Sequence, residues 1–334
     1  MKLRIKKPMI LLLTLSLLLS LTACGGNTNE TADGKTKVRI AYFPNITHTQ
    51  ALVMKNQQTL ETLWGDTCTV TWTSFNAGPA EIEALFAGEI DLGYIGPVPA
   101  LSANVKSKGD IKIIANATNA GAVLLARKGA GITSVSDLSG KKVAVPQLGN
   151  TQHLCLLNLL SEHGLSTADK GGTVTVAASS NADIVNLMDN GTIDAALVPE
   201  PWGTTIMKNG NAEILLDYNE VFLNGDYPVA VVVASSDFME AHPDLVEDFL
   251  SAHEDATLYI NENPEHAQKI VNTEIENTTG KALSDEVIAS AFSRMTIHTD
   301  LNKEAIMKFA NISKEEGFIN TIPEEEHVFK FKFD

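Results

Sequence analysis

Asparagine, threonine, glutamine and histidine cluster at two places in this chain, Asn45-Ile-Thr-His48 and Asn150-Thr-Gln-His153. Each asparagine stands where a strand-like run gives way to a helical one, the position of an N-cap, and each histidine follows in the first helical turn. Comparable turns carry Asn76, Gly78 and Pro79, then Gly96, Thr118 and Asn119, Ser179, Ser180 and Asn181, and Glu200 and Trp202. Almost no lysine or arginine accompanies them. Side chains of this kind make hydrogen bonds, and helix N-termini add free N–H groups and a positive dipole end. The chemistry on offer is non-covalent capture of a small anion without a formal cation. No GxSxG, HExxH, Walker loop or CxxC occurs, so no catalytic residue and no cofactor is expected. His48, His153 and Glu200 are of metal-ligand type, but nothing in their spacing requires a metal. Trp202 suits either stacking on a ligand or packing between lobe and hinge. Both histidines are expected to be neutral in an empty site and drawn toward imidazolium by a bound anion, which would tighten binding at mildly acidic pH.

The elements behind these loops alternate between short apolar strands and amphipathic helices, the pattern of an α/β protein. Strands are expected at 38–43, 69–75, 91–95, 111–117, 123–127, 142–145, 173–177, 195–198, 213–216 and 229–234. Helices are expected to begin near Thr47, Pro79, Val98, Asn150, Asn181 and Pro201, and the chain turns helical after Asp237. An internal repeat organises the first two thirds. Val38-x-Ile40 leading to Asn45-x-x-His48 recurs as Val143-x-Val145 leading to Asn150-x-x-His153, and Gly88-Glu-Ile-Asp91 recurs as Gly191-Thr-Ile-Asp194 at nearly the same offset. Two similar α/β units in one chain face each other across a cleft, and ligands bind beyond the carboxyl ends of the parallel strands. Asp91 and Asp194 fall at the opposite strand ends and read as structural.

The first residues speak to compartment. Lys2, Arg4, Lys6 and Lys7 precede an apolar run, Pro8 to Leu21, that is short for a bilayer span and ends in small residues, as a secretion signal does. Leu21-Thr22-Ala23-Cys24 resembles a bacterial lipobox, which implies cleavage before Cys24 and a diacylglycerol anchor on its sulfur. Residues 25–37 are small and polar, a tether. Cys68 and Cys155 are expected to be free thiols, at least partly buried. The formal net charge of -16 argues against nucleic acid as a partner.

Ala41-Tyr-Phe-Pro-Asn-Ile-Thr-His48, Asn76-Ala-Gly-Pro-Ala-Glu-Ile-Glu-Ala84, Gly93-Tyr-Ile-Gly-Pro97, Leu148-Gly-Asn-Thr-Gln152 and Val198-Pro-Glu-Pro-Trp202 resemble the solute-binding components of ABC importers for aliphatic sulfonates, taurine and nitrate, a group related to proteins of thiamine-pyrimidine synthesis. The resemblance implies a two-lobed periplasmic-binding-protein-like fold (type II), with parallel-rich sheets flanked by helices and two crossover strands as hinge. It implies one lobe from 37–128 with 229–334 and a second from 129–228, preceded by the signal peptide over 1–23 and the lipidated tether over 24–36 read from the first residues. It places ligand contacts at Asn45, Thr47, His48, Asn76, Gly78, Pro79, Gly96, Thr118, Asn119, Asn150, Thr151, Gln152, His153, Glu200 and Trp202, to which the loop reading adds Asn181. His153 stands where relatives often carry aspartate, and Asn119-Ala-Gly121 where they often carry Ser-Gly-Gly. The implied partners are a small-molecule ligand, ABC permease subunits and a membrane reached through the lipid; the chain is expected to be a monomer. The implied ligand is a small organic anion, an aliphatic sulfonate or taurine, with nitrate, bicarbonate or a pyrimidine precursor as alternatives. A pyrimidine-synthase-like enzyme is a further alternative, disfavoured because the cysteine-rich motif of that enzyme is absent.

Overall fold

The computed structural model describes residues 31 and 33–331. The signal segment, Cys24 and most of the tether lie outside the described residues. The strands are β1 (Thr36–Tyr42), β2 (Cys68–Ser74), β3 (Leu92–Ile95), β4 (Ile111–Ala120), β5 (Ala122–Arg127), β6 (Lys142–Val145), β7 (Thr175–Ala178), β8 (Ala195–Pro199), β9 (Ala212–Leu216), β10 (Pro228–Ser235) and β11 (Met295–Ile297). The longer helices are α1 (Thr49–Gln57), α2 (Gly78–Phe86), α3 (Pro97–Lys106), α4 (Thr151–Glu162), α5 (Asn181–Asp189), α6 (Trp202–Lys208), α7 (Pro243–Glu262), α8 (Pro264–Thr279), α9 (Asp285–Phe292) and α10 (Lys303–Glu315).

Two sheets result, and the repeat is visible in their order. One runs β11-β4-β10-β3-β1-β2 and the other β7-β6-β8-β5-β9. In each, three parallel strands from one repeat lie together, β2-β1-β3 and β7-β6-β8. An antiparallel strand then follows, β10 against β3 and β5 against β8. The twin aspartates do matching work at the strand ends away from the polar loops. Asp91 accepts the Arg39 backbone N–H at 2.8 Å and pairs with its guanidinium. Asp194 accepts the Lys142 backbone N–H at 3.0 Å and pairs with Arg127.

The chain passes from one sheet to the other twice. β4 runs into β5 across Gly121 alone, at φ +79° with Ala120 at +61°, backbone that a bulky residue resists. The second passage, 217–227, contains three successive left-handed residues, Leu223, Asn224 and Gly225. The Ala120 N–H donates to the Tyr227 carbonyl at 3.0 Å, tying the two passages together. Here the fold departs from the sequence reading. The resemblance puts Ala122–Arg127 in the first lobe, yet it pairs in the five-stranded sheet, so the first crossing falls at Gly121. Thr118 and Asn119 read as loop, but pairing with β10 on one side and β11 on the other extends β4 to Ala120. β11 itself spans three residues and carries no periodicity to announce it.

The core follows from strand burial. β10 is apolar on both faces because it lies inside its sheet and is covered on both sides, which is why its sequence reads as an unbroken Val/Ala run. One face of each sheet shares a continuous cluster that includes Ile95, Leu101, Leu124, Leu154, Leu197, Val231 and Phe309. The outer faces have their own, around Tyr94, Phe249 and Val271 for the six-stranded sheet and around Leu125, Ile184 and Ile206 for the other. No helix among the described residues is long and apolar enough to cross a membrane.

Candidate ligand-binding cleft

The polar loops meet in one cleft of about 370 Å³, counting the space open to solvent. Asn45, Thr47, His48, Asn76, Gly78 and Gly96 line it from the six-stranded sheet, and Asn150, Thr151, Gln152 and Asn181 from the five-stranded one. Four helices begin at its wall: α2 at Gly78, α3 just after Gly96, α4 at Thr151 and α5 at Asn181. Their first-turn N–H groups have no intrahelical acceptor, and their dipoles present positive ends. Among the described residues, no lysine, arginine, aspartate or glutamate lines the cleft. The Thr151 hydroxyl and the Asn181 Oδ1 are buried at the wall without a partner.

Four hydrogen bonds fix the orientation of lining side chains. The Trp202 indole N–H donates to Asn45 Oδ1 at 2.9 Å. The Phe43 backbone N–H donates to His48 Nδ1 at 3.1 Å. The His153 backbone N–H donates to Asn150 Oδ1 at 2.8 Å, and Asn150 Nδ2 in turn donates to Gln152 Oε1 at 3.0 Å. The twin loops therefore differ. Asn150 caps its helix with its side chain, whereas Asn45 makes no cap bond and reaches Trp202 instead.

The histidines also part company. His48 is 1 % exposed, stacked on Phe43, and burial lowers its pKa to about 3. His153 faces away from the cleft, stacks on Phe318 in an outer groove, accepts the Gly149 N–H at Nδ1, and is lowered to about 4, again mainly by burial. Desolvation, not the helix terminus, keeps both neutral. His48, His153 and Glu200 do not come together. Glu324, Glu326 and His327, all exposed, are the one trio of such donors among the described residues close enough to share an ion.

Other expected contacts lie off the lining. Thr118 and Asn119 are buried in β4 with Thr118 Oγ1 and Asn119 Oδ1 unpaired. Pro79 sits in the first turn of α2 beside Gly149. Glu200 is fully buried, accepting the Thr204 N–H and hydroxyl at 2.9 Å each, with Arg294 at 3.6 Å; burial raises its pKa. Trp202 bridges the walls through Asn45. The residues that sequence reading missed are the apolar ones: Phe43, Ala77, Pro99, Pro146, Pro199 and Val229 also line the cleft. The prolines following β6 and within the Pro-rich turns were the available signal. Gly78 and Gly96 are glycines for a steric reason. A Cβ on Gly78 would overlap the Pro99 ring, and one on Gly96 would overlap the Thr151 hydroxyl across the cleft.

The chain matches the NMT1-like family over residues 31–275. Over 198 residues it is 30% identical to the taurine-binding periplasmic protein of Escherichia coli (strain K12), which covers 59% of each chain. Over 180 residues it is 29% identical to a putative aliphatic sulfonates-binding protein of the same organism, covering 54% of each. The matched stretch thus spans less than two thirds of the length of these relatives. Among solved structures, the alkanesulfonate-binding protein SsuA from Xanthomonas axonopodis pv. citri bound to MOPS superposes with a TM-score of 0.72 at 22% identity, over 90% of this chain and 99% of that one. The periplasmic nitrate-binding protein NrtA from Synechocystis PCC 6803 gives 0.69 at 13% identity, over 89% and 86%. These likenesses show the periplasmic-binding-protein fold, and the match over most of its length shows that the chain belongs to the NMT1-like family.

Proposed function

We propose that this chain is the extracytoplasmic solute-binding lipoprotein of an ABC importer, capturing a small organic anion, an aliphatic sulfonate or taurine, between its two lobes. The observation that carries the reading is the cleft itself, where four helix N-termini and uncharged donor side chains from both sheets surround one small space. The names of the relatives, taurine-binding and putative aliphatic sulfonates-binding, point to the same ligand class. Lobe one comprises β1–β4 with β10 and the C-terminal helices, lobe two β5–β9, and the crossings at Gly121 and 217–227 are the hinge on which a monomer closes over its ligand. Cys24 anchors the mature chain outside the cytoplasmic membrane and the lobes present the ligand to permease subunits. Capture without chemistry fits the two thiols, since Cys68 and Cys155 are both buried and burial pushes each thiol up.

A thermal-shift screen of the mature chain with alkanesulfonates, taurine, sulfate esters, nitrate, bicarbonate and pyrimidines tests the reading. A true ligand at about 100 times its Kd stabilises by roughly 2.7 kcal/mol. A sulfonate producing that shift supports the proposal. A shift with a pyrimidine alone, or with none of the panel, refutes it.

A further inference from the structure

Three of the fixed side chains of the cleft share one property: each spends its acceptor on the protein and keeps a donor. Asn45 Oδ1 is taken by Trp202, His48 Nδ1 by the Phe43 N–H, and Gln152 Oε1 by Asn150. None of these orientations is ambiguous. An indole nitrogen and a backbone amide nitrogen can only donate, so the atoms they meet on Asn45 and His48 must be acceptors. The His153 N–H settles Asn150 in the same way, which forces Asn150 Nδ2 to be the donor toward Gln152 and the Gln152 carbonyl to be the acceptor. On these lining residues that leaves three donors, Asn45 Nδ2, the Nε2–H of a neutral His48 ring and Gln152 Nε2, none with a hydrogen-bond partner among the described residues. The Thr47 and Thr151 hydroxyls can donate as well. Asn181, whose amide makes no hydrogen bond with the protein, is free to turn either end inward.

We infer that internal hydrogen bonding gives this cleft a one-way polarity, a cage of neutral donors that selects an acceptor-only monoanionic headgroup on a short apolar tail and discriminates against a ligand that also carries an ammonium. The inference rests on the anion-capture reading above and narrows its ligand class. The headgroup meets donors and helix N-termini. The tail meets Phe43, Pro99, Pro146, Pro199 and Val229. An ammonium buried there meets no lining carboxylate, only the neutral oxygens of Thr47, Thr151 and Asn181 among the uncommitted side chains, and a charge without a counter-charge is costly to bury.

Propane-1-sulfonate and taurine make the test clean, because they match in heavy-atom count and differ by a methyl in place of the ammonium. Calorimetric titration of the mature chain with each at pH 7 is expected to show propane-1-sulfonate binding about fivefold or more tighter. In Trp202→Phe, which keeps the ring and removes the donor that holds Asn45, the preference is expected to shrink. In Gln152→Glu, which turns a donor into an acceptor, it is expected to reverse toward taurine. A wild-type preference smaller than that, or favouring taurine, overturns the one-way cage and leaves anion capture standing. A preference unchanged in both variants overturns the assignment of the donors. Failure of both sulfonates to bind at millimolar concentration removes the anion-capture reading, and the cage with it.

Discussion

The Trp202 indole N–H donates to Asn45 Oδ1 at 2.9 Å, across sequence positions that belong to opposite walls of the cleft. Asn45 follows β1 of the six-stranded sheet, and Trp202 opens α6 behind β8 of the five-stranded one. The bond thus exists only where the walls are close, and it orients a lining amide at the same time. Together with the Gly96–Thr151 approach, it brings the two walls of the cleft into contact, as the proposed lobe closure requires.

Trp202→Phe should therefore weaken sulfonate binding through lost closure while leaving the fold intact. A net hydrogen bond contributes about 0.5–1.5 kcal/mol, so affinity should fall roughly two- to tenfold by calorimetry. Unchanged affinity would mean that the bond plays no part in closure.

Gly96→Ala should act on the same closure by sterics. Its methyl would overlap the Thr151 hydroxyl on the facing wall, and overpacking of this kind costs about 1–3 kcal/mol, or roughly 5- to 150-fold in affinity. Because Thr151 belongs to the other lobe, the ligand-free protein can open to relieve the overlap, and its Tm should stay within about 2 °C of wild type. A large loss of Tm without ligand would show that the two walls do not separate.

The shifts of the buried histidines predict acid sensitivity of a definite sign. His48 is lowered to about 3, and His253, buried between Tyr94 and the Asn116 carbonyl, to about 4. Each is neutral in the folded state, whereas the unfolded state takes up a proton near pH 6.5. The stability they contribute is complete above pH 6.5 and is lost as pH falls toward 3–4, by at most about 1.4 kcal/mol per pH unit for each. Glu81, buried with both carboxyl oxygens unpaired and its pKa raised by burial, works in the opposite direction, its contribution present at low pH and lost as pH rises. Urea midpoints should fall between pH 6.5 and 4.5, with a shallower slope in His253→Gln. Affinity for the anion should change little between pH 6 and 8, because protonating His48 would break the Phe43 N–H bond at Nδ1. The structure replaces the expectation of tighter binding at mildly acidic pH, and a steep gain in affinity at pH 6 would restore it.

Much of this architecture is legible in the sequence. The repeat of Asn45-x-x-His48 and Asn150-x-x-His153, and of the two GxID segments, appears as two sheets of matching strand order, because strand ends and helix starts are encoded locally by caps, glycines and apolar alternation. Ten of the sixteen expected contact positions, Asn45 and Thr151 among them, line the cleft. What stayed hidden depends on partners distant in sequence. Asn45 looks like a cap and is a cross-wall acceptor because of Trp202. His153 matches His48 in sequence but turns outward to Phe318. Glu81, a charged residue within α2, is buried because Gly93 of β3 leaves room for its carboxyl. β11 and the extension of β4 arise from pairing across the sheet, which no local pattern signals.

Cys24 lies outside the described residues and is tested on its own. Cys24→Ser should move the protein from the membrane fraction into the soluble one or leave the precursor unprocessed, and intact mass of the native protein should show diacylglycerol on Cys24. An unmodified Cys24 at the mature N-terminus would contradict the anchor.

A crystal structure of the mature chain grown with propane-1-sulfonate tests the central claim most directly. The account predicts the sulfonate between the two sheets, with its oxygens within hydrogen-bond distance of Asn45 Nδ2, His48 Nε2 and Gln152 Nε2 and its tail against Phe43 and Val229. An empty cleft at saturating ligand, or a sulfonate bound elsewhere on the chain, would contradict it.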